Sequence, residues 1–331
     1  MPHLEIKHFP KDFTEPQQRR LAADLTALIV DHFATYPGAV SIALHPVEPQ
    51  DWPDLVVQAE IAGHAHRLIK SPEYRTTREE APVMPDNLGP RLKVGVVVPS
   101  TNTSAQPELE ALRPHQVTNH TGRMVIGDDA MVDEPGFDHV MHSIRSSTHP
   151  AIRSVVSCNP DCVIVGVSPE SYWEGPDSHA RVLASMREAA GGLPVIMSPD
   201  AINAALGAYG ARRIGVITPY LPVGDDSVSR FFKDSGYQVV GIQGLGMPSP
   251  AQISHVTDAQ LREAVLAVDG PEVEAIVQVG TNVPMMQLAA AAEAWLGKPV
   301  LSNNVVLYWH ALRQAGIRDR IHGHGSLLAE H

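Results

Sequence analysis

Hydrophobic and polar positions alternate at the start of the chain. Leu4 and Ile6 fall on one side, and His3, Glu5 and Lys7 on the other, which is the period of a half-buried strand over residues 2–8. Thr14-Glu15-Pro16-Gln17 then has the form of a capping box, with Pro16 in the first turn, where its missing N–H costs nothing. Leu21, Leu25, Leu28 and Ile29 follow at helical spacing, and Tyr36-Pro37-Gly38 stops the helix. Val40 to Leu44 alternates again as a second strand, and a helix is predicted from about Pro53 to Lys70. A β-α-β unit with a trailing helix is too small to cover both faces of its own sheet. It is expected to pack against a copy of itself or a neighbour, most simply in an even-numbered homo-oligomer.

Residues 75–90 hold prolines and charges without an apolar period and read as a linker. From Leu92 the texture changes to short, continuous β-branched runs separated by helical stretches, the mark of buried parallel strands. These runs repeat. Val94-Gly95-Val96-Val97-Val98-Pro99 is echoed by Ile214-Gly215-Val216-Ile217-Thr218-Pro219. Val163 to Ser168 is echoed by Ile276 to Thr281, and Pro194-Val195-Ile196 by Pro299-Val300-Leu301. Three pairs in the same order predict two similar α/β lobes, about 91–210 and 211–325. Open parallel sheets bind ligands beyond the carboxyl ends of their strands, so the residues after each echoed strand are expected to share one cleft.

At 331 residues the chain has room for two or three cores, and 44% hydrophobic with 19% charged residues is globular composition. A net charge of −12 with no basic cluster argues against nucleic acid as a partner. No apolar run has the length of a membrane span, and the start lacks a secretion signal, so a cytoplasmic location is expected. The two cysteines, Cys158 and Cys162, read as reduced thiols beside the turn at Asn159-Pro160. The seventeen histidines show no carboxylate–histidine pattern at metal spacing, so neither a metal nor another cofactor is expected.

Proline at position 2 permits removal of Met1, leaving a secondary amine at the tip of a strand. An α-amino group titrates near pH 8, and an apolar pocket moves it towards neutrality, where a general base for carbon acids works best. Met1 to Pro10, Leu21 to Thr26, Ser41 to Leu44, Trp52 and Ile69 to Tyr74 resemble the PptA-like tautomerases of the 4-oxalocrotonate tautomerase superfamily. The resemblance spans residues 1–74 and implies that Pro2 shuttles a proton in keto–enol chemistry of 2-oxo acids. At the second-strand position where better-known members read a carboxylate with arginine, this chain has Ser41.

Pro99-Ser100-Thr101-Asn102-Thr103, Gly166-Val167-Ser168, Thr218-Pro219-Tyr220 and Gly280-Thr281-Asn282, with Gly297 to Asn304 and Gly323 to Leu328, resemble a second family. These segments are similar to the maleate cis-trans isomerases and arylmalonate decarboxylases of the aspartate/glutamate racemase superfamily, over about residues 91–328. The resemblance implies two Rossmann-like (flavodoxin-like) lobes around a cleft. It also implies that a substrate carboxylate is held by Asn102, Ser168, Tyr220, Gly280, Thr281 and Asn282. The family's two reactive cysteines are absent: Val167 and Gly280 stand in their places. Glu170, Tyr172, His179 and His324 are the remaining acid–base candidates.

Three readings follow. The first is an isomerase using Pro2, fused to a thiol-free carboxylate-binding domain acting on a small acid. The second is a lyase, decarboxylase or hydratase, working in the second cleft while the first module serves structure. The third is a non-catalytic scaffold that binds small acids.

Overall fold

The computed structural model describes residues 1–70, 86–167, 172 and 175–331. It divides into two compact units, Met1–Met84 and Pro85–His331. Ser168, Glu170 and most of the expected linker lie outside the described residues. At the start of the second unit, Asp86 Oδ1 accepts the N–H groups of Leu88 and Gly89, at 2.9 and 2.8 Å. These bonds hold its carboxyl below the usual carboxylate range.

In the first unit β1 (His3–His8) pairs in parallel with β2 (Ser41–Pro46), joined by the helix Glu15–Phe33. Thr14 N–H donates to Gln17 Oε1 at 2.9 Å, the return bond of the capping box. No residue of this helix is fully buried within the chain, and Leu28, Phe33 and Tyr36 are exposed. The helix expected over 53–70 is shorter. A π-helical segment, Pro53–Ala62, stops at Gly63, and only a 3-10 turn, Ala65–Arg67, follows. Gly63 N–H bonds back to Gln58 O, and a glycine at that point withdraws helix propensity from whatever comes next.

The second unit holds two four-stranded parallel sheets. The first contains β3 (Leu92–Pro99), β4 (Val117–Met124), β5 (Cys162–Val165) and β6 (Val195–Ile196), in the order β4-β3-β5-β6. The second contains β7 (Arg213–Thr218), β8 (Gln238–Gly244), β9 (Ala275–Gln278) and β10 (Val300–Leu301), in the order β8-β7-β9-β10. Counted within each lobe, both orders are 2-1-3-4, the flavodoxin-like winding. Every echoed pair of segments falls on matching strands: β3 with β7, β5 with β9, β6 with β10. Even the glycines match. Gly95 lies against Val155 and Gly215 against Val268, and a Cβ at position 215 would stand 2.6 Å from Val268 O. Each bare position lets the covering helix settle onto its sheet.

The lobes share a core. The helix Asn303–Gln314 of the second lobe packs on the helix Ser198–Tyr209, on Ala105–Ala111 and on β5 of the first. One apolar cluster runs through Ile202 and Leu206 of one lobe and Phe231, Phe232 and Tyr308 of the other. Glu108 bridges them. Its carboxylate accepts Met286 N–H at 3.1 Å and Asn304 Nδ2 at 2.7 Å, and burial pushes its pKa up. Among the described residues no helix is long and apolar enough to cross a membrane.

Glu108→Ala strands a buried N–H and a carboxamide, which costs about 1–3 kcal/mol. At about 2–4 °C per kcal/mol for a unit of this size, the Tm is expected to fall by several degrees in calorimetry. Glu108→Gln tests the electrostatics. A carboxyl whose folded pKa is raised contributes stability below its unfolded value of about 4.3 and loses it as pH rises through the folded value. The Tm of Glu108→Gln relative to the native chain should therefore improve as pH climbs above about 4.3. A difference independent of pH contradicts this account.

Candidate functional site

The loops after β3, β5, β7 and β9 meet in one cleft between the lobes. Asn102, Tyr220, Gly280, Thr281 and Asn282 all line it, with Gly166 and Val167. Five of the six residues expected to hold a carboxylate are thus brought together, and the sixth, Ser168, lies outside the described residues.

Their side chains are mostly committed to one another. Asn102 Nδ2 donates to Thr281 Oγ1 at 2.9 Å, and Thr281 passes its own proton to Gly166 O at 2.8 Å. Asn282 Oδ1 accepts Thr103 N–H at 2.9 Å and Ser104 N–H at 3.2 Å, and its Nδ2 donates to Pro250 O at 2.9 Å. Asn102 Oδ1 takes the N–H groups of Ser104 and Ala105 at the start of the helix Ala105–Ala111. Carboxamides from each lobe therefore fix the loop of the other. The main chain is left for a ligand. No acceptor among the described residues takes the N–H groups of Gly280, Thr281 and Asn282, which line the cleft consecutively. Successive backbone N–H groups with a left-handed glycine, here Gly280 at φ 105°, form a concave anion site.

The other wall is apolar. Ile126 and Met131 come from the loop after β4, and Pro250 and Ile253 from the second lobe. Asp128 Oδ1 holds Ala251 N–H at 2.8 Å, and Met131 N–H reaches Pro248 O at 2.7 Å, so the two segments close together. Arg123 Nη1 donates to Asn102 O at 2.6 Å and steadies the facing loop. Sequence reasoning missed these residues. They sit in loops with no period to find, and only the Met247-Pro248-Ser249-Pro250 run hints at one.

Among the described lining residues Tyr220 alone has an ionisable type of side chain. Val167 is an alkyl wall, and a side chain at Gly280 would be strained: its Cβ would stand 2.9 Å from Pro219 Cγ, at a φ that favours glycine. Cys162 lies inside β5, where burial pushes its thiol up to about 12. Cys158 precedes that strand, its Sγ 3.1 Å from Val155 O. Tyr172 is buried edge-on against Phe231, His179 pairs with Asp200 at 2.9 Å, and His324 lies in the loop before Ser326–Glu330. None of these three lines the cleft. Among the described residues no group of three or more His, Cys, Asp or Glu could hold a metal.

In the first unit Pro2 stands one residue before β1, its carbonyl accepting Ser41 N–H at 3.2 Å, while Met1 is 99% exposed. Beside it His3 Nδ1 lies 2.8 Å from Ser41 Oγ.

Residues 94–328 match the sequence profile described as arylmalonate decarboxylase. The chain belongs to the arylmalonate decarboxylase family. A maleate isomerase of Pseudomonas putida is 25% identical over 246 residues, 72% of this chain and 97% of the relative. The family's fold recurs in a cysteine-to-serine mutant of Nocardia farcinica maleate cis-trans isomerase with a covalently bound succinylcysteine intermediate. That structure has a TM-score of 0.66 and 24% identity, covering 72% of this chain and 99% of its own. A further stretch of 74 residues is 45% identical to the tautomerase PptA of Klebsiella pneumoniae, 22% of this chain and 97% of that one. This arylmalonate decarboxylase family member therefore also carries a segment of the PptA tautomerase family.

A thiol with so raised a pKa is not a nucleophile near neutrality, because the thiolate is the reacting form. Cys162 is expected to resist iodoacetamide at pH 7.5 in the folded chain and to react once it is unfolded, as read by mass spectrometry. Rapid alkylation of Cys162 in folded protein would show that β5 opens to solvent.

Proposed function

We propose that the protein is an isomerase that interconverts the enol and keto forms of a small 2-oxo or unsaturated acid. The Pro2 amine acts as its general acid and base. The observation that carries this reading is the position of Pro2 at the open tip of β1 behind a fully exposed Met1, in a segment so similar to PptA tautomerases. Once Met1 is removed, the neutral amine takes the proton from the substrate's hydroxyl, and the ammonium returns one to carbon. A secondary amine near its pKa at neutral pH serves both steps. The uncovered helix Glu15–Phe33 supports a homo-oligomer of even order built through this unit.

The second unit binds a small carboxylic acid. The amides of Gly280, Thr281 and Asn282 face one oxygen-rich end of the ligand, and the apolar wall faces the rest. Covalent chemistry of the succinylcysteine kind has no thiol to use here, since no cysteine is among the described residues that line the cleft. The wall of Ile126, Met131 and Ile253 favours a second reading, a lyase that releases carbon dioxide. An ionised carboxylate against such a wall loses hydration, whereas an oxyanion over the amide nest is stabilised.

Mass spectrometry should show loss of Met1. Pro2→Ala is expected to lower the ketonisation rate of a phenylpyruvate-type enol by about a hundredfold or more with circular dichroism unchanged. Retention of Met1 on active protein, or full activity in Pro2→Ala, rejects the catalytic proline. For the second unit the measurement is calorimetric titration of maleate and phenylmalonate into the whole chain. Tyr220→Phe should weaken binding about ten- to a hundredfold, the effect of losing a donor to a buried anion. Equal affinity in the variant removes Tyr220 from the site.

A further inference from the structure

Tyr220 enters the cleft from the short step between β7 and the helix Pro222–Asp234, and its main chain is tied down on both sides. Its N–H donates to Thr218 Oγ1 at 3.1 Å, and its carbonyl accepts Gly246 N–H at 3.1 Å. Thr218 is wholly buried and gives its hydroxyl proton to Asp225 Oδ1, in the first turn of that helix. The direction of this bond matters. With the proton committed to the carboxylate, a lone pair of the Thr218 oxygen is turned towards Tyr220 N–H.

Two bare positions complete the arrangement. The Tyr220 side chain lies on Gly224, where a Cβ would stand 2.6 Å from Tyr220 Cβ and 2.8 Å from its Cγ. Gly244 leaves space for the Asp225 carboxylate, since a Cβ there would collide with Asp225 Oδ2 and stand 2.7 Å from Tyr220 O. The carboxylate is only partly solvated, and burial raises its pKa. A half-buried carboxylate kept beside one buried hydroxyl is costly unless it does something for its neighbours.

We propose that Asp225, acting through Thr218, is the positioning residue that sets the Tyr220 phenol in the cleft. The inference rests on the reading of that cleft as an acid-binding site. On that reading Tyr220 meets the ligand, whereas Asp225 and Thr218 do not line the cleft and act only by fixing where the phenol stands. A hydrogen bond to an anion tolerates about 0.5 Å of misplacement, so a loosened Tyr220 loses most of its contribution.

The test is a set of double-mutant cycles on the whole chain, titrated with maleate and phenylmalonate. Thr218→Val keeps the shape of the side chain and removes the hydroxyl, and Asp225→Ala removes the acceptor. Each is expected to weaken binding about tenfold when Tyr220 is present, and by less than about twofold in the Tyr220→Phe background. Thr218→Ser keeps the relay and Asp225→Asn keeps an oxygen acceptor, so both should restore affinity to within about threefold. Equal weakening in both backgrounds, or none in either, overturns the proposal.

A readout without ligand separates its failure from that of the acid-binding reading. In chains labelled with 3-fluorotyrosine, the resonance of position 220 is assigned by its loss in Tyr220→Phe. Its solvent-isotope shift should rise in Thr218→Val and Asp225→Ala and return to the native value in Thr218→Ser. If these shifts appear while no acid binds, the acid-binding reading fails and the positioning stands. If position 220 stays as shielded as in the native chain, the positioning fails even where acids bind.

Discussion

Buried polar groups must find partners, and in the second unit those of two strand-end loops find them across the gap between the lobes. Asn282 closes the N–H groups of Thr103 and Ser104, while Asn102 reaches back to Thr281. With unpaired buried amides costing about 1–3 kcal/mol each, the lobes have little freedom to separate. The cleft is in this sense made by its own satisfaction. Because the side chains of Asn102, Thr281 and Asn282 are spent on each other and on the loops, the backbone amides of Gly280 to Asn282 are left without an acceptor among the described residues. Glu108, reaching from the first lobe to the start of Met286–Leu296, closes the same seam from behind.

The same constraint bears on position 280. A cysteine at position 280 would need room beside Pro219 and a conformation that non-glycine residues avoid. Gly280 instead adopts a φ of 105°, and the N–H groups of Gly280, Thr281 and Asn282 find no acceptor among the described residues. Electrostatic recognition needs only donors held in place, and the crossing carboxamides do the holding.

The first unit stands under a different constraint. Its two strands and single long helix enclose too little surface for a closed core, and the helix keeps no residue fully buried. What its backbone does secure is the tip of β1, where Ser41 N–H fixes the Pro2 carbonyl and leaves the preceding residue in solvent.

Local pattern determined a good part of this protein. The strand at residues 2–8, the capping box at Thr14 and the three echoed strands are properties of neighbouring residues, and periodicity or resemblance exposes them directly. The loop residues Asn102, Thr281 and Asn282 could be located by the same echo, because strand ends converge in a parallel sheet. Their roles were another matter. Whether an asparagine grips a ligand or the opposite lobe depends on what lies within 3 Å of it, and Asn102 and Thr281 are 179 residues apart in sequence. The apolar wall of Ile126 and Ile253, the short reach of the helix after Pro53, and the relay from Asp225 to Tyr220 were likewise decided by the tertiary structure. Each depends on long-range packing or on a main-chain bond that no sequence period records.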